Sequence, residues 1–436
     1  MKARSLSPAE TAGLFRPDDT LAVPLGPGQP TALLHALGAR DDWKGLRVLG
    51  ALLVDLFPLF ARPGVRLYSG FYGPVERALL QAGHDVHFVP ADFRRFSHLA
   101  RRMAPRVMAV AVAPPDAEGR MSLSLHAGAA VEELHRCGRD PARLLIAEVN
   151  PLLPRTHGLP PEHPHALHVD EVDVVTTGDR PVIALPDIPA DAAEERIAAI
   201  ARSFIPDGAT LQTGIGGVPN HVAQLLAEGS GGDYGIHSEM FTDGLMQLHR
   251  AGKVSNRKGV YDGFSVATFA MGSRALYDWL DGNEEVRFLP IEFVNEPGLI
   301  ARNRRMISIN GALSVDLGGQ VVADCIGGRQ HSGIGGHEDF VTGAGYSPEG
   351  RSLLCLPATA RTPEGIVSRI VAGFAPGSRV TTPRHQVDVV ITEFGAAELA
   401  GLSVGDRAAA LTEIAHPAVR DALRAGVDPL PPISDA

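Results

Sequence analysis

The chain has 436 residues and a formal net charge of −10, and its 48 glycines and 34 prolines accompany an ordinary apolar content. That length accommodates two or three domains with ample core, while the acidic balance offers nothing for nucleic acid or an anionic membrane to bind. Plentiful glycine and proline suit an α/β enzyme with many tight strand-to-helix turns better than a coiled coil or a disordered chain. An anionic substrate must therefore be met locally, by backbone amides or a few Arg and Lys.

The start, Met1-Lys-Ala-Arg-Ser5, has basic residues without an apolar run behind them, so no signal peptide is expected. Ala22-Val-Pro-Leu-Gly-Pro-Gly-Gln-Pro-Thr-Ala-Leu-Leu34 reads as a strand, a G-x-G turn, a proline at the first helical position and a helix. The most apolar stretch, Leu46 to Phe60, is interrupted by Arg47 and Asp55 and is too short to span a bilayer. It reads as a buried strand and its neighbour. Val107–Val112, Leu144–Val149 and Val387–Thr392 are of strand type and alternate with amphipathic helices, which predicts a mostly parallel sheet with helices on its faces. Cys137, Cys325 and Cys355 lie far apart and make no metal-ligand pattern; buried reduced thiols in the cytoplasm are expected.

A boundary is expected near Pro186 to Pro189, followed by a helix over Ala192 to Phe204 with Asp191 and Glu194 spaced as its cap. Beyond it, Leu211-Gln-Thr-Gly-Ile-Gly-Gly-Val-Pro-Asn-His-Val-Ala223 repeats the opening pattern. Its helix presents Val218, Val222, Leu225 and Leu226 on one face. The echo extends to Tyr68-Ser-Gly-Phe-Tyr72 and His237-Ser-Glu-Met-Phe241, which sets Gly70 where Glu239 would stand. The chain thus reads as two copies of one α/β unit, residues 1–188 without the acid and 189–436 carrying it.

Glu239 lies where a short apolar strand, Tyr234 to Ile236, gives way to a helical run from Asp243 to Arg250. Functional side chains in open α/β sheets gather at such strand ends. A carboxylate ionised at neutral pH attacks a reactive acyl group without a neighbouring base once its water is stripped away. Taken by itself, the same residue also reads as a capping or surface acid. Gly214-Ile215-Gly216-Gly217 runs into a helix start and offers free N–H groups of the kind that suit phosphate, although tight β-to-α turns use glycine for steric reasons as well. A second run, Gly327-Gly-Arg-Gln-His-Ser-Gly-Ile-Gly-Gly-His-Glu-Asp-Phe340, comes after a hairpin-like pair, Ile307 to Asp316 and Gln320 to Asp324, turning at Gly318-Gly319. So many glycines let backbone approach a ligand and aim amides at an oxyanion. His331, His337, Glu338 and Asp339 match no common metal spacing, and no metal is expected.

These motifs, taken in order, resemble the acetyl-CoA hydrolase/transferase family, the group of family I CoA-transferases that includes 4-hydroxybutyrate and butyrate:acetate CoA-transferases. The resemblance runs from about residue 65 to 424. It is carried by Pro114-Pro-Asp-Ala-Glu-Gly-Arg-Met-Ser122, Ala147-Glu-Val-Asn150, Pro154-Arg-Thr-His157, the Gly214–Gly217 turn, Gly235-Ile-His-Ser-Glu-Met240 and Ile309 to Val321. Ser332-Gly-Ile-Gly-Gly336, Val387 to Gly395 and Ile414-Ala-His-Pro417 extend it. It implies two tandem NagB/RpiA-like α/β domains with mostly parallel sheets, and acyl-CoA and carboxylic acid substrates. It further implies ping-pong transfer through a glutamyl anhydride and a glutamyl-CoA thioester on Glu239.

In that reading Gly335 and Gly336 hold the oxyanion, and Gly214, Ile215, Gly216, Gly217 and Gly333 join them in binding coenzyme A. Ser238, Met240 and His337 fall in the substrate pocket. Coenzyme A is substrate and product, no cofactor stays bound, and a homodimer is implied. The chain departs from its relatives at His337-Glu338, where most have Gln, so His337 is either a titratable group in the acyl pocket or a packed substitute. Two other readings use the same residues: a thioester hydrolase with water as acceptor, and a non-catalytic metabolite-binding protein that kept the fold.

Overall fold

The computed structural model describes residues 3–186, 189–363 and 365–427. Contacts divide the chain into two compact units. The first comprises Met1–Pro186, Glu239–Phe241 and Phe264–Asn295; the second comprises Asp187–Ser238, Thr242–Gly263 and Glu296–Ala436. The cut expected after residue 188 falls beside residues 187 and 188, which lie outside the described set. The sequence pattern predicts two contiguous halves, yet Glu239 groups with the first unit rather than with the sequence around it.

The reason is main-chain pairing. Met240–Phe241 pairs in parallel with Phe269–Ala270, Ala270 N donates to Leu125 O at 2.8 Å, and Ala127 and Gly128 N both donate to Thr268 O. A strand that finds its ladder among the loops of the first unit is counted with that unit.

The first unit is built on an eight-stranded sheet in the order Arg4–Ser5, Val174–Thr177, Leu144–Val149, Val107–Val112, Thr20–Ala22, Leu46–Gly50, Val65–Ser69, Val86–Phe88. Every pairing in it is parallel. Val107–Val112 is buried at each of its residues, as a central strand covered on both faces requires. The second unit carries a six-stranded sheet, in the order Gly235–Ile236, Thr210–Thr213, Met306–Gly311, Arg351–Cys355, Val389–Thr392, Gly395–Glu398, with only the last pairing antiparallel. Helix Ala192–Arg202 begins as expected, Asp191 accepting from Ala193 N and Glu194 N while Glu194 returns to the cap. Helix Asp243–Arg250 also matches its expected span.

Three expectations are corrected by the strand register and the helix bounds. Met306–Gly311 belongs to the main sheet, and the expected hairpin is confined to Ser314–Asp316 against Val321–Val322, with Gly319 at φ +88° in its turn. Proline is not the first helical residue in either copy: Pro30 precedes helix Thr31–Gly38, and Pro219 is third in helix Gly217–Glu228. The internal echo is also displaced. Thr20 pairs with Arg47 as Thr210 pairs with Gly235, so counting four residues onward from each partner sets Ala51, not Gly70, opposite Glu239. Gly70 follows the next strand out, and it is glycine because a Cβ there would run into the Phe96 ring.

Lys258 lies fully buried beneath Gly235, whose own Cβ would come within 2.8 Å of the lysine side chain. Its Nζ donates to Tyr261 O at 2.6 Å. Burial pulls its pKa down to about 7, with Asp262 acting in the opposite direction. Since the unfolded chain holds this proton up to a higher pH than the folded one, the buried charge costs stability in full below about pH 7 and the cost fades as pH rises toward about 10.5. Lys258→Met is therefore expected to raise the Tm most at about pH 6 and progressively less toward about pH 10. A pH-independent difference in thermal unfolding would contradict this.

Candidate active site

The segment from Gly235 to Phe241 is held at nearly every residue. Gly235–Ile236 pairs with Thr210–Leu211, and His237 N continues the ladder to Leu211 O at 3.1 Å. The His237 ring is buried, takes Asn303 Nδ2 on its Nδ1 at 3.1 Å, and meets Phe340 edge-on. Ser238 is likewise buried; its Oγ donates to Thr213 O at 3.2 Å and accepts from Thr213 N at 3.4 Å. A hydroxyl committed in both directions to one residue anchors the chain and has little left for a substrate.

Glu239 is half-buried. Its carbonyl accepts from Thr268 N at 3.0 Å and Phe269 N at 3.3 Å, and its carboxylate accepts from Asn295 Nδ2 at 2.7 Å. Beyond it Phe241 is buried and stacks on Trp279 at 5.7 Å. Asn295 ends the short helix Ile291–Val294 and is itself fully buried, so it holds one carboxylate oxygen in a fixed direction. Sequence reasoning missed it. An Asn closing a helix before Glu-Pro is a local signal, but nothing local ties it to an acid 56 residues away.

Met240, expected in the substrate pocket, is half-buried against an apolar cluster of Phe93, Phe96, Phe269, Met271 and Ile291. His126 bridges Phe269 in this region with both ring nitrogens buried and unpartnered, and burial drives its pKa down to about 3, so the ring is neutral.

The Gly327–Phe340 run does two different jobs. Gly327 and Gly328, at φ +54° and +73°, turn a hairpin between Cys325–Ile326 and Arg329–Gln330. Asp324 braces the chain on the far side of that hairpin: its carboxylate accepts from Gln330 Nε2 at 2.6 Å and Thr381 Oγ1 at 2.7 Å, and its carbonyl accepts from His331 N and Ser332 N. Gly333 is buried, Gly335 sits at φ +58°, and Gly336 caps helix His337–Tyr346. Neither the Gly335 nor the Gly336 amide finds an acceptor among the described residues. His337 is buried, with Nε2 2.9 Å from Thr382 Oγ1, which donates onward to Glu338 at 2.5 Å. Burial lowers its pKa to about 4. A neutral ring spent on Thr382 fits the packed substitute. Among the described residues no three His, Cys, Asp or Glu side chains form a metal-binding group.

The Gly214–Gly217 turn is open. No atom lies within 4 Å of where a Gly214 Cβ would be, Ile215 is 49% exposed, and Gly216 has φ +130°. Gly217 is different, since its Cβ would collide with the Glu194 carboxylate. A carboxylate so close to the helix start disfavours a phosphate there. The turn is better matched to a neutral stretch of a ligand with an apolar contact at Ile215.

A parallel-sheet α/β frame carrying an anchored glutamate at a strand end is suited to acyl transfer. The acetyl-CoA hydrolase/transferase C-terminal domain model matches residues 272–427. The succinyl-CoA:cyclohexane-1-carboxylate CoA transferase of Geobacter metallireducens is 36% identical over 96% of this chain and 93% of its own length. The 4-hydroxybutyrate coenzyme A transferase of Clostridium kluyveri is 35% identical over 91% of this chain and 90% of its own. The crystal structure of RipA from Yersinia pestis superposes with a TM-score of 0.88 at 34% identity, covering 97% of this chain and 96% of that one. The chain belongs to the acetyl-CoA hydrolase/transferase family, and it is an enzyme of the CoA-transferase kind.

Removing the Asn295 amide takes away the hydrogen bond that aims one oxygen of the Glu239 carboxylate. Asn295→Ala is expected to lower kcat roughly tenfold, with little change in KM for the acyl-CoA, the loss corresponding to one hydrogen bond to a charged group. Steady-state kinetics with turnover unchanged would deny Asn295 a positioning role.

Proposed function

We propose that the chain catalyses acyl-CoA:carboxylate CoA transfer on short-chain acyl or hydroxyacyl groups, with Glu239 as nucleophile in a ping-pong cycle. Glu239 attacks the thioester carbonyl, the C–S bond breaks, and a mixed anhydride and CoA thiolate result. The thiolate attacks the glutamyl carbonyl and releases the first acid as its carboxylate, leaving a glutamyl-CoA thioester. An incoming carboxylate runs both steps in reverse. The observation that carries this reading is the half-buried Glu239 carboxylate held at 2.7 Å by Asn295. It is ready to attack without a general base.

Each step passes through a tetrahedral oxyanion, a role we assign to the Gly335 and Gly336 amides; one such donor is typically worth about 3 kcal/mol. Gly333 and the Gly214–Gly217 turn fit contacts along the CoA chain, and Met240 a contact with the acyl group. Transfer is favoured over hydrolysis because the relatives matched along most of their length are transferases. A cytoplasmic homodimer, with CoA entering and leaving and no cofactor retained, completes the reading.

Brief incubation with a pool of short acyl-CoAs followed by peptide mass spectrometry is expected to yield a CoA adduct on the Glu239 peptide. Glu239→Gln should abolish it and leave CoA binding within about a few-fold. Thioester loss without an adduct would point to hydrolysis, and substantial transfer by the Gln variant would overturn the assignment. Gly335→Val, which places a β-branched residue at φ +58°, is expected to reduce kcat far more than CoA affinity. Equal losses in both would make the turn purely structural.

A further inference from the structure

The first unit contains a cavity that the proposed reaction does not use. Its sheet reverses direction between Val107–Val112 and Thr20–Ala22: the chain moves outward from the latter to Val86–Phe88, and the other way from the former to Val174–Thr177. Open parallel sheets form a crevice outside the strand carboxyl ends at such a reversal. Here the crevice encloses about 290 Å³, and Thr31, Val54, Glu148, Asn150, Arg180 and Val182 are among its walls. Neither Glu239 nor Asn295 is among the lining residues.

The groups already satisfied decide which ligand this cavity accepts. Glu148 is fully buried at the end of its strand, and its carboxylate accepts from Ala32 N at 3.1 Å and Leu33 N at 2.8 Å. Those amides are the start of helix Thr31–Gly38, the end that would otherwise receive a phosphate. The protein's own acid fills that position, which excludes a phosphate, and the volume is too small for a whole CoA thioester. Gln29 spends its amide on Ala51 O and Leu52 O and accepts from Val54 N. Asn150 donates to Arg180 O and accepts from Leu152 N. Asp55 is taken by His35 at 2.7 Å and by Leu56 N.

The Arg180 guanidinium spends no hydrogen bond among the described residues: it lies 3.9 Å from Asp55, acts on the Glu148 carboxylate only through its charge, and is 46% exposed. Val54, Leu153 and Val182 add apolar surface to the same lining. A guanidinium whose donors are unspent, in a lining whose two carboxylates are already hydrogen-bonded elsewhere, suits a small monocarboxylate with a short apolar chain. We propose that this cavity is a second binding site for a short-chain monocarboxylate, its head group on Arg180 and its chain along Val54, Leu153 and Val182. The choice of a short-chain acid rests on the function proposed for Glu239; the site itself does not.

The test uses 13C-labelled butyrate observed by NMR with the full chain carrying Glu239→Gln, at about 0.15 M salt so that loose surface pairing is screened. Adding Arg180→Ala is expected to weaken butyrate binding at least about tenfold, the cost of losing one charged partner. Val182→Trp, which fills the cavity without altering charge, should produce a comparable loss, and butyramide should fail to compete. Unchanged affinity in both double variants, equal competition by butyramide, or no butyrate binding to the Glu239→Gln chain would overturn the proposal. CoA transfer by the unsubstituted enzyme is assayed separately. Transfer without cavity binding sinks only this inference, and cavity binding without transfer sinks only the reaction.

Discussion

The pairing of Glu239 with its neighbours is the constraint on which the rest of this molecule depends. A free glutamate has three rotatable side-chain bonds and a well-hydrated carboxylate, and both weaken it as a nucleophile. Here the carbonyl is pinned by two amides from Thr268 and Phe269, and the carboxylate by Asn295. On one side Ser238 is locked to Thr213, and on the other Phe241 is buried against Trp279. The peptide is fixed before any substrate arrives, so little ordering remains to be done at the moment of reaction.

That rigidity explains the grouping of the chain. Residues 239–241 leave the contact set of their sequence neighbours because they form a ladder with Phe269–Ala270. Residues 264–295 accompany them and supply both that ladder and Asn295. A single continuous second domain would have to provide these partners from its own sheet, which ends at Gly235–Ile236.

What the sequence made legible was local. Helix Ala192–Arg202 was readable because Asp191 and Glu194 cap it from within four residues, and Val107–Val112 because an unbroken apolar run signals a strand covered on both faces. Glu239 was visible as a lone acid between a strand and a helix. Asn295 was not, since its bond spans 56 residues with no periodicity to mark it. The echo at Tyr68–Tyr72 misled for a related reason: similarity of residue types drew attention to Gly70, whereas strand register, which lives in hydrogen bonds, selects Ala51. His337 was ambiguous because a packed histidine and one facing a substrate have the same letter. Only its bond to Thr382 separates them.

Register also separates what the two copies can bind. Leu21 pairs with Val107 and Leu211 with Ile307, so Ala111 corresponds to Gly311 and their neighbours Glu148 and Cys355 correspond in turn. In the first unit the Glu148 carboxylate seals the amino end of the helix beyond the glycine turn. In the second the same position is a neutral thiol, pushed up to about 12 by burial. Glu194 comes close to Gly217 there, but its carboxylate accepts from Asp191 N, leaving the turn itself reachable. At the helix start the two copies differ in how the acid is held: Glu148 is bonded to the helix amides, whereas Glu194 is bonded to its own cap. The first helix start is thereby closed to an anion, whereas the second keeps a turn, open at Gly214 and Ile215, along which a neutral stretch of a long ligand can lie.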